Sequence, residues 1–401
     1  MNTETKKNGV KKVRCASALL GGLLAIGLLG GCEDEGAVQV KGGAEPETTP
    51  APSASQASTA PSVTVKDNPN QSVYSGLKLE KIDEMQHTLG GIWLDDNHIV
   101  VRKPDPNAEK VWIGETQMQP YSLYIRDLTA GEDELLHGGD GKSWGAPLLS
   151  PDGKTLFLIN DSGLDGIPYL LDMDSRKLTR IKGAAGGESV SSLDAGWLDR
   201  EHVVYAKQGD AGLYMADLAG TETRIAQADG KMILAGSLKA ASDGRIYYGL
   251  SDTDWGMYVY DRQTGIHSLI GSPITALVPS PDDTRLAVVR RVGDAKEELQ
   301  LAEPGGKEIK TLAEDKGFFG MGWSPDGKSL AYTIYSGGGS DKAGFYIADA
   351  STGESFLLSP DLADAGDQMK WSPSGNKIMA TKSERVNGKL DSTTTIVTVS
   401  W

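Results

Sequence analysis

The chain has 401 residues, 24% of them charged, with 50 glycines and a formal net charge of −15. The acidic excess argues against a nucleic-acid backbone or an anionic bilayer surface as partner, because Lys and Arg must supply that attraction. Its simpler reading is that it keeps the protein soluble. Both cysteines, Cys15 and Cys32, lie near the N-terminus, so the rest of the chain has neither disulfide nor thiol chemistry.

The first fourteen residues carry Lys6, Lys7, Lys11, Lys12 and Arg14, and an apolar stretch over 16–30 follows, too short to span a bilayer comfortably. It ends in Leu29-Gly30-Gly31-Cys32, which resembles the lipobox of bacterial lipoproteins. That resemblance implies a signal peptide over 1–31, lipid attachment at Cys32, and an extracytoplasmic protein anchored to the cell membrane. The site would be the outer leaflet, or the periplasmic side in a Gram-negative cell. A plain secretory signal with a chance cysteine is the alternative. Removing 1–31 takes the net charge from −15 to −19. Residues 32–71, with Glu45-Pro46-Glu47-Thr48-Thr49-Pro50-Ala51-Pro52-Ser53, hold almost no large apolar side chains. Such a composition cannot offset ordering entropy and reads as a disordered tether with a span on the order of 35 Å.

From residue 72 to 401 the sequence is periodic. A turn phrase recurs as Trp93-Leu94-Asp95-Asp96-Asn97, Leu149-Ser150-Pro151-Asp152-Gly153, Trp197-Leu198-Asp199-Arg200-Glu201 and Ala241-Ser242-Asp243-Gly244. It returns as Pro279-Ser280-Pro281-Asp282-Asp283, Trp323-Ser324-Pro325-Asp326-Gly327 and Trp371-Ser372-Pro373-Ser374-Gly375. Pro presets the first central residue, Asp bonds its own backbone and Gly takes a positive φ, so each copy predicts a tight turn between two strands. A second register, the acidic ends of strands at Asp127, Asp172, Asp217, Asp261, Glu303 and Asp349, repeats every 42 to 46 residues. That period signals a propeller or solenoid and fits four-stranded blades.

The Ser-Pro-Asp-Gly turn, the apolar-Ala-Tyr strand after it and the apolar-Tyr-x-x-Asp strand beyond resemble the TolB-type, WD40-like β-propeller repeat over about residues 72–401. The resemblance implies an all-β fold in which each turn joins an inner strand to a second strand. Seven landmarks, near 93, 149, 197, 241, 279, 323 and 371, then imply a seven-bladed β-propeller of four-stranded blades. The last blade lacks an outer strand, having an inner strand ending at Trp371, a second at 377–381 and a third at 394–401. Residues 76–82 are expected to supply the missing strand and close the ring. TolB itself carries an α/β domain and six blades, so its partners do not carry over.

Candidate sites are sparse. Gly141-Lys142-Ser143-Trp144-Gly145 matches Gly-x-Ser-x-Gly, but Ala146-Pro147-Leu148-Leu149 follows where a nucleophile elbow needs a helix. His87, His98, His137, His202 and His267 lack ligand spacing, and His98 and His202 share a turn position. Asn160–Gly166 and Asp252–Gly256 offer oxygen donors without EF-hand spacing; these are also ordinary turn residues, so no metal or other cofactor is assigned, with calcium kept as a possibility. Trp93, Trp197, Trp323 and Trp371 share the repeat position that inter-blade packing needs. Trp112, Trp144 and Trp255 break that register and, with Phe318 and Phe319, fall where connections cluster on one face of the ring. Blade one also inserts a long loop from Lys103 to Pro120, carrying Val111-Trp112-Ile113. These features point to a monomeric, non-enzymatic protein-binding or scaffolding module with an unknown envelope partner. The alternatives are an enzyme acting on glycans or peptides at the channel mouth, and a sensor of a small ligand or calcium.

Overall fold

The computed structural model describes residues 76–113, 116–139, 143–161, 166–183, 190–207, 209–230, 232–251, 254–366, 369–386 and 389–401. The chain divides into two units, Met1–Gln71 and Ser72–Trp401. The expected signal peptide, Cys32 and the expected tether lie outside the described residues. The second unit is a seven-bladed propeller of antiparallel sheets. Its blades span residues 89–137, 143–180, 190–227, 239–271, 274–315, 318–359, and 370–400 with 78–86. Inner strands of successive blades touch in an unbroken cycle, blade seven reaching back to blade one.

The repeated phrase folds as its residues dictate. In blade two the Gly153 N–H donates to the Ser150 carbonyl at 2.9 Å, with Gly153 at φ +73. The Ser150 hydroxyl donates to Asp152 at 2.7 Å and accepts from the Thr155 N–H at 3.0 Å. Blade six repeats this with Ser324, Asp326, Gly327 and Ser329. In blade five Asp283 takes the glycine position at φ +56. The third-strand acids cap the next turn: Asp127, Asp261 and Asp349 each accept two backbone N–H groups from the residues that follow.

Blades pack face to face, and a buried apolar cluster fills each of the seven junctions. The repeat tryptophans join them as their shared position implies. The indole N–H of Trp93 donates to the Lys370 carbonyl at 2.7 Å, that of Trp197 to Leu148 at 3.0 Å, that of Trp323 to Val278 at 3.1 Å, and that of Trp371 to Gly322 at 2.9 Å. Each acceptor lies on the inner strand of the preceding blade. Gly322 must be glycine, since a Cβ there would sit 1.8 Å from the Met369 carbonyl oxygen.

The ring closes through the N-terminal strand. Lys78–Gln86 pairs antiparallel with Lys389–Ser400, which pairs with Lys377–Val386. The closing strand begins inside the expected 76–82 segment and runs on to Gln86. The two strands of blade seven are likewise longer than expected, because they extend past the ring as a hairpin. The seam is tied by hydroxyls: Thr394 donates to the Thr88 carbonyl at 2.8 Å, and Thr381 accepts from the Gly90 N–H at 3.2 Å.

Candidate binding face

The turn-bearing face spends its polar groups on itself. The Ser150 and Ser280 hydroxyls hold the Asp152 and Asp282 carboxyls below the usual carboxylate range, and backbone donors do the same for Asp127. His98 and His202 each place Nδ1 against a turn carboxylate, Asp95 at 2.9 Å and Asp199 at 3.0 Å. Neighbouring turns are clamped by cations. Arg245 donates to the Asp283 carbonyl at 2.6 Å, Arg285 to Gly327 at 2.8 Å, and Lys377 to Asp96 at 2.7 Å.

The opposite face carries the long, irregular connections. The blade-one insertion is anchored by Asp105, which is buried and accepts from Ser122 Oγ and the Asn107 N–H, both at 2.9 Å. Beyond it Val111–Ile113 and Thr116–Met118 form a two-stranded hairpin with Trp112 opposite Gln117; the Trp112 side chain lies outside the described residues.

Trp144, expected on a connection, is instead buried. It belongs to a short inner-strand segment, Ser143–Trp144, paired with Asn160 and Asp161, and strand alternation turns its ring inward. The indole is 2% exposed, donates to the Gly138 carbonyl at 2.8 Å and meets His137 and Tyr169 edge-on at 5.1 and 5.8 Å. Ser143 beside it accepts the Tyr121 N–H at 3.1 Å, a supporting role on a strand with no elbow.

Trp255 is open to solvent, 39% exposed, with φ +51 and the Arg291 guanidinium 5.6 Å from its ring. Phe318 and Phe319 prove to be strand residues and half-buried. Phe318 packs 6.0 Å from Tyr332, and Phe319 lies 4.5 Å from Tyr335. Trp255 and the phenylalanines thus belong to one face but to separate contacts.

One charged pair on this side was not anticipated. Asp194, in the inner strand of blade three, accepts the Gly236 N–H at 2.6 Å. Burial pushes its carboxyl up to about 6, against the pull of Lys239 and the amides of 236–238. Lys239 is itself lowered by burial, and its ammonium donates to the Gly236 and Leu238 carbonyls, both at 3.1 Å. The pair pins the connection entering blade four. A lone Asp in a strand gives no sequence signal for this.

Among the described residues no three His, Cys, Asp or Glu side chains converge as metal donors. Residues 162–165 and 252–253, within the two loops considered for calcium, lie outside the described residues.

The fold and its faces define a propeller with one self-satisfied side and one irregular side. No protein-family model matches the sequence, and comparison with curated proteins gives no match. Among solved structures, an oligogalacturonate lyase in complex with manganese is 13% identical over 81% of this chain and 97% of its own, with a TM-score of 0.59. A chain of a mitotic checkpoint complex is 14% identical over 86% and 98%, with a TM-score of 0.53. TolB from Acinetobacter baumannii is 20% identical over 56% and 53%, at a TM-score of 0.41, and nothing rests on it. At these identities the likenesses show the propeller fold alone.

Proposed function

We propose that this chain is an exported bacterial lipoprotein, anchored through Cys32, whose propeller is a non-enzymatic module that binds an envelope protein through its irregular face. The observation that carries this reading is the contrast between the faces. Most carboxylates and hydroxyls of the repeated turns are engaged in repeat hydrogen bonds, whereas the other side presents an exposed Trp255, an inserted hairpin and half-buried aromatic residues. Aromatic residues on irregular loops are the usual anchors of interfaces. Seven blades with buried junctions supply the rigid support such a surface needs.

The lipobox supports the anchor. Cys32→Ser should shift the protein out of the membrane fraction or stall its processing; unchanged attachment together with unchanged acyl labelling would refute it. For the face, Trp255→Ala and Phe319→Ala should weaken partner capture at unchanged fold.

An enzymatic reading draws on the likeness to the lyase. It asks for two carboxylates around a concave site, one with a raised pKa. Asp194 is raised, yet its partners are backbone amides and Lys239 rather than a second carboxylate. Turnover of uronate oligosaccharides or peptides that Asp194→Asn abolishes would replace the binding reading.

A further inference from the structure

Trp255 holds a backbone conformation that bulky residues avoid, and it does so on the surface. A non-glycine residue at positive φ stores strain that persists where surrounding structure enforces it, and such positions gather at functional sites. Here the enforcement is visible. The Trp255 carbonyl accepts the Ile274 N–H at 2.9 Å, the Gly256 carbonyl accepts the Leu250 N–H at 3.3 Å, and the Ser272 hydroxyl donates to the Asp254 carbonyl. The indole nonetheless stays 39% exposed, while Trp93, Trp323 and Trp371 are 5%, 7% and 7% exposed.

Its neighbour is equally unusual. Arg291 is exposed and lies over the indole at 5.6 Å. The residue opposite it in register, Glu297, turns its carboxylate to Thr275 Oγ1 at 3.1 Å and the Phe318 N–H at 3.3 Å. Arg291 therefore forms no ion pair among the described residues, in a chain with 55 acidic against 40 basic side chains. A guanidinium placed over an indole as a cation–π partner still has N–H groups for bidentate pairing with a carboxylate.

We propose that Trp255 and Arg291 form the hot spot at which this face captures an acidic, extended peptide segment of its protein partner. A partner Asp or Glu carboxylate would pair with the guanidinium edge, and the adjoining apolar side chain would lie on the open side of the indole. Trp and Arg are the residue types that dominate interface energetics. An anionic glycan would need further side-chain hydrogen-bonding groups around the ring. Among the described residues near the ring, the Ser272 hydroxyl is spent on the Asp254 carbonyl, and the Arg290 guanidinium donates to Gln300 at 3.4 Å. The proposal rests on the binding reading of the irregular face.

The test uses the full chain in detergent over immobilised hexapeptides in which two Glu or Asp residues precede Leu or Phe. Lysine counterparts and a uronate oligosaccharide serve as comparison arms. Acidic-apolar peptides should bind. Trp255→Ala and Arg291→Gln should each cut that binding at least about tenfold with melting unchanged, and Arg291→Glu should transfer preference to the lysine peptides. Equal binding of acidic and lysine peptides, no binding, variants that bind as well as the parent, or Arg291-dependent capture of the oligosaccharide alone would overturn it. If any of these occurs while a photo-crosslinker on the irregular face still captures a protein in cells, the acidic-peptide chemistry fails and the binding face stands. Loss of both removes the underlying reading.

Discussion

Tryptophan shows how position decides the role of one residue type. Trp323 packs in the junction of blades five and six and donates its indole N–H to Val278. Trp323→Ala should therefore cost ~3–5 kcal/mol in chemical denaturation, and Trp144→Ala a similar amount, because both leave cavities. Trp255→Ala should change stability little. Ser143→Ala should cost about 1 kcal/mol by orphaning the Tyr121 N–H, with no effect on binding. Asp194 predicts a pH signature. Its folded pKa of about 6 lies above the ordinary value of 3.8, so the folded state holds the proton more tightly. The contribution of this group is thus most favourable below pH 3.8 and declines as pH rises through 6. Asp194→Asn should flatten that decline, and melting curves for both proteins between pH 4 and 7 check it; parallel curves would contradict the assignment. The repeat tryptophans were legible because recurrence marks them. Trp144 was not, since Gly141–Gly145 reads as a connection although two of its residues pair with a strand.

At the level of strands, repetition explains most of what could be read and its exceptions explain the rest. Turn residues and acidic strand ends placed the blades because Pro, Asp and Gly constrain the backbone locally. No such signal marks the bulge in five outer strands, where Leu136, Ile225, Ile270, Leu312 and Leu358 are each one residue extra against the third strand. These side chains turn into the blade junctions, which the cross-strand register alone determines. The bulges also disrupt edges that would otherwise invite strand pairing. The closing strand was legible as a missing partner, but its end at Gln86 was not, because blade seven's long hairpin sets that length. Deleting 72–84 should lower the melting temperature sharply, whereas deleting 36–60 should leave it unchanged. Equal melting of the two deletions would contradict closure through 78–86.

For the whole molecule, the seven junctions close one ring, and the proposed function depends on which of its two sides would meet another protein. The turn side is built from repeat contacts that every blade needs, so change there damages the fold. The irregular side carries its own buried anchors, but its exposed Trp255 and Arg291 contribute to no repeated contact. The direct measurement is site-specific photo-crosslinking in intact cells, with the crosslinker at the exposed Val292 on the irregular face, which leaves Trp255 and Arg291 in place, or at Lys328 on the turn face. Position 292 should give a discrete protein adduct that position 328 does not. An adduct from 328 alone, or from neither site, would contradict the claim that this propeller binds a protein through its irregular face.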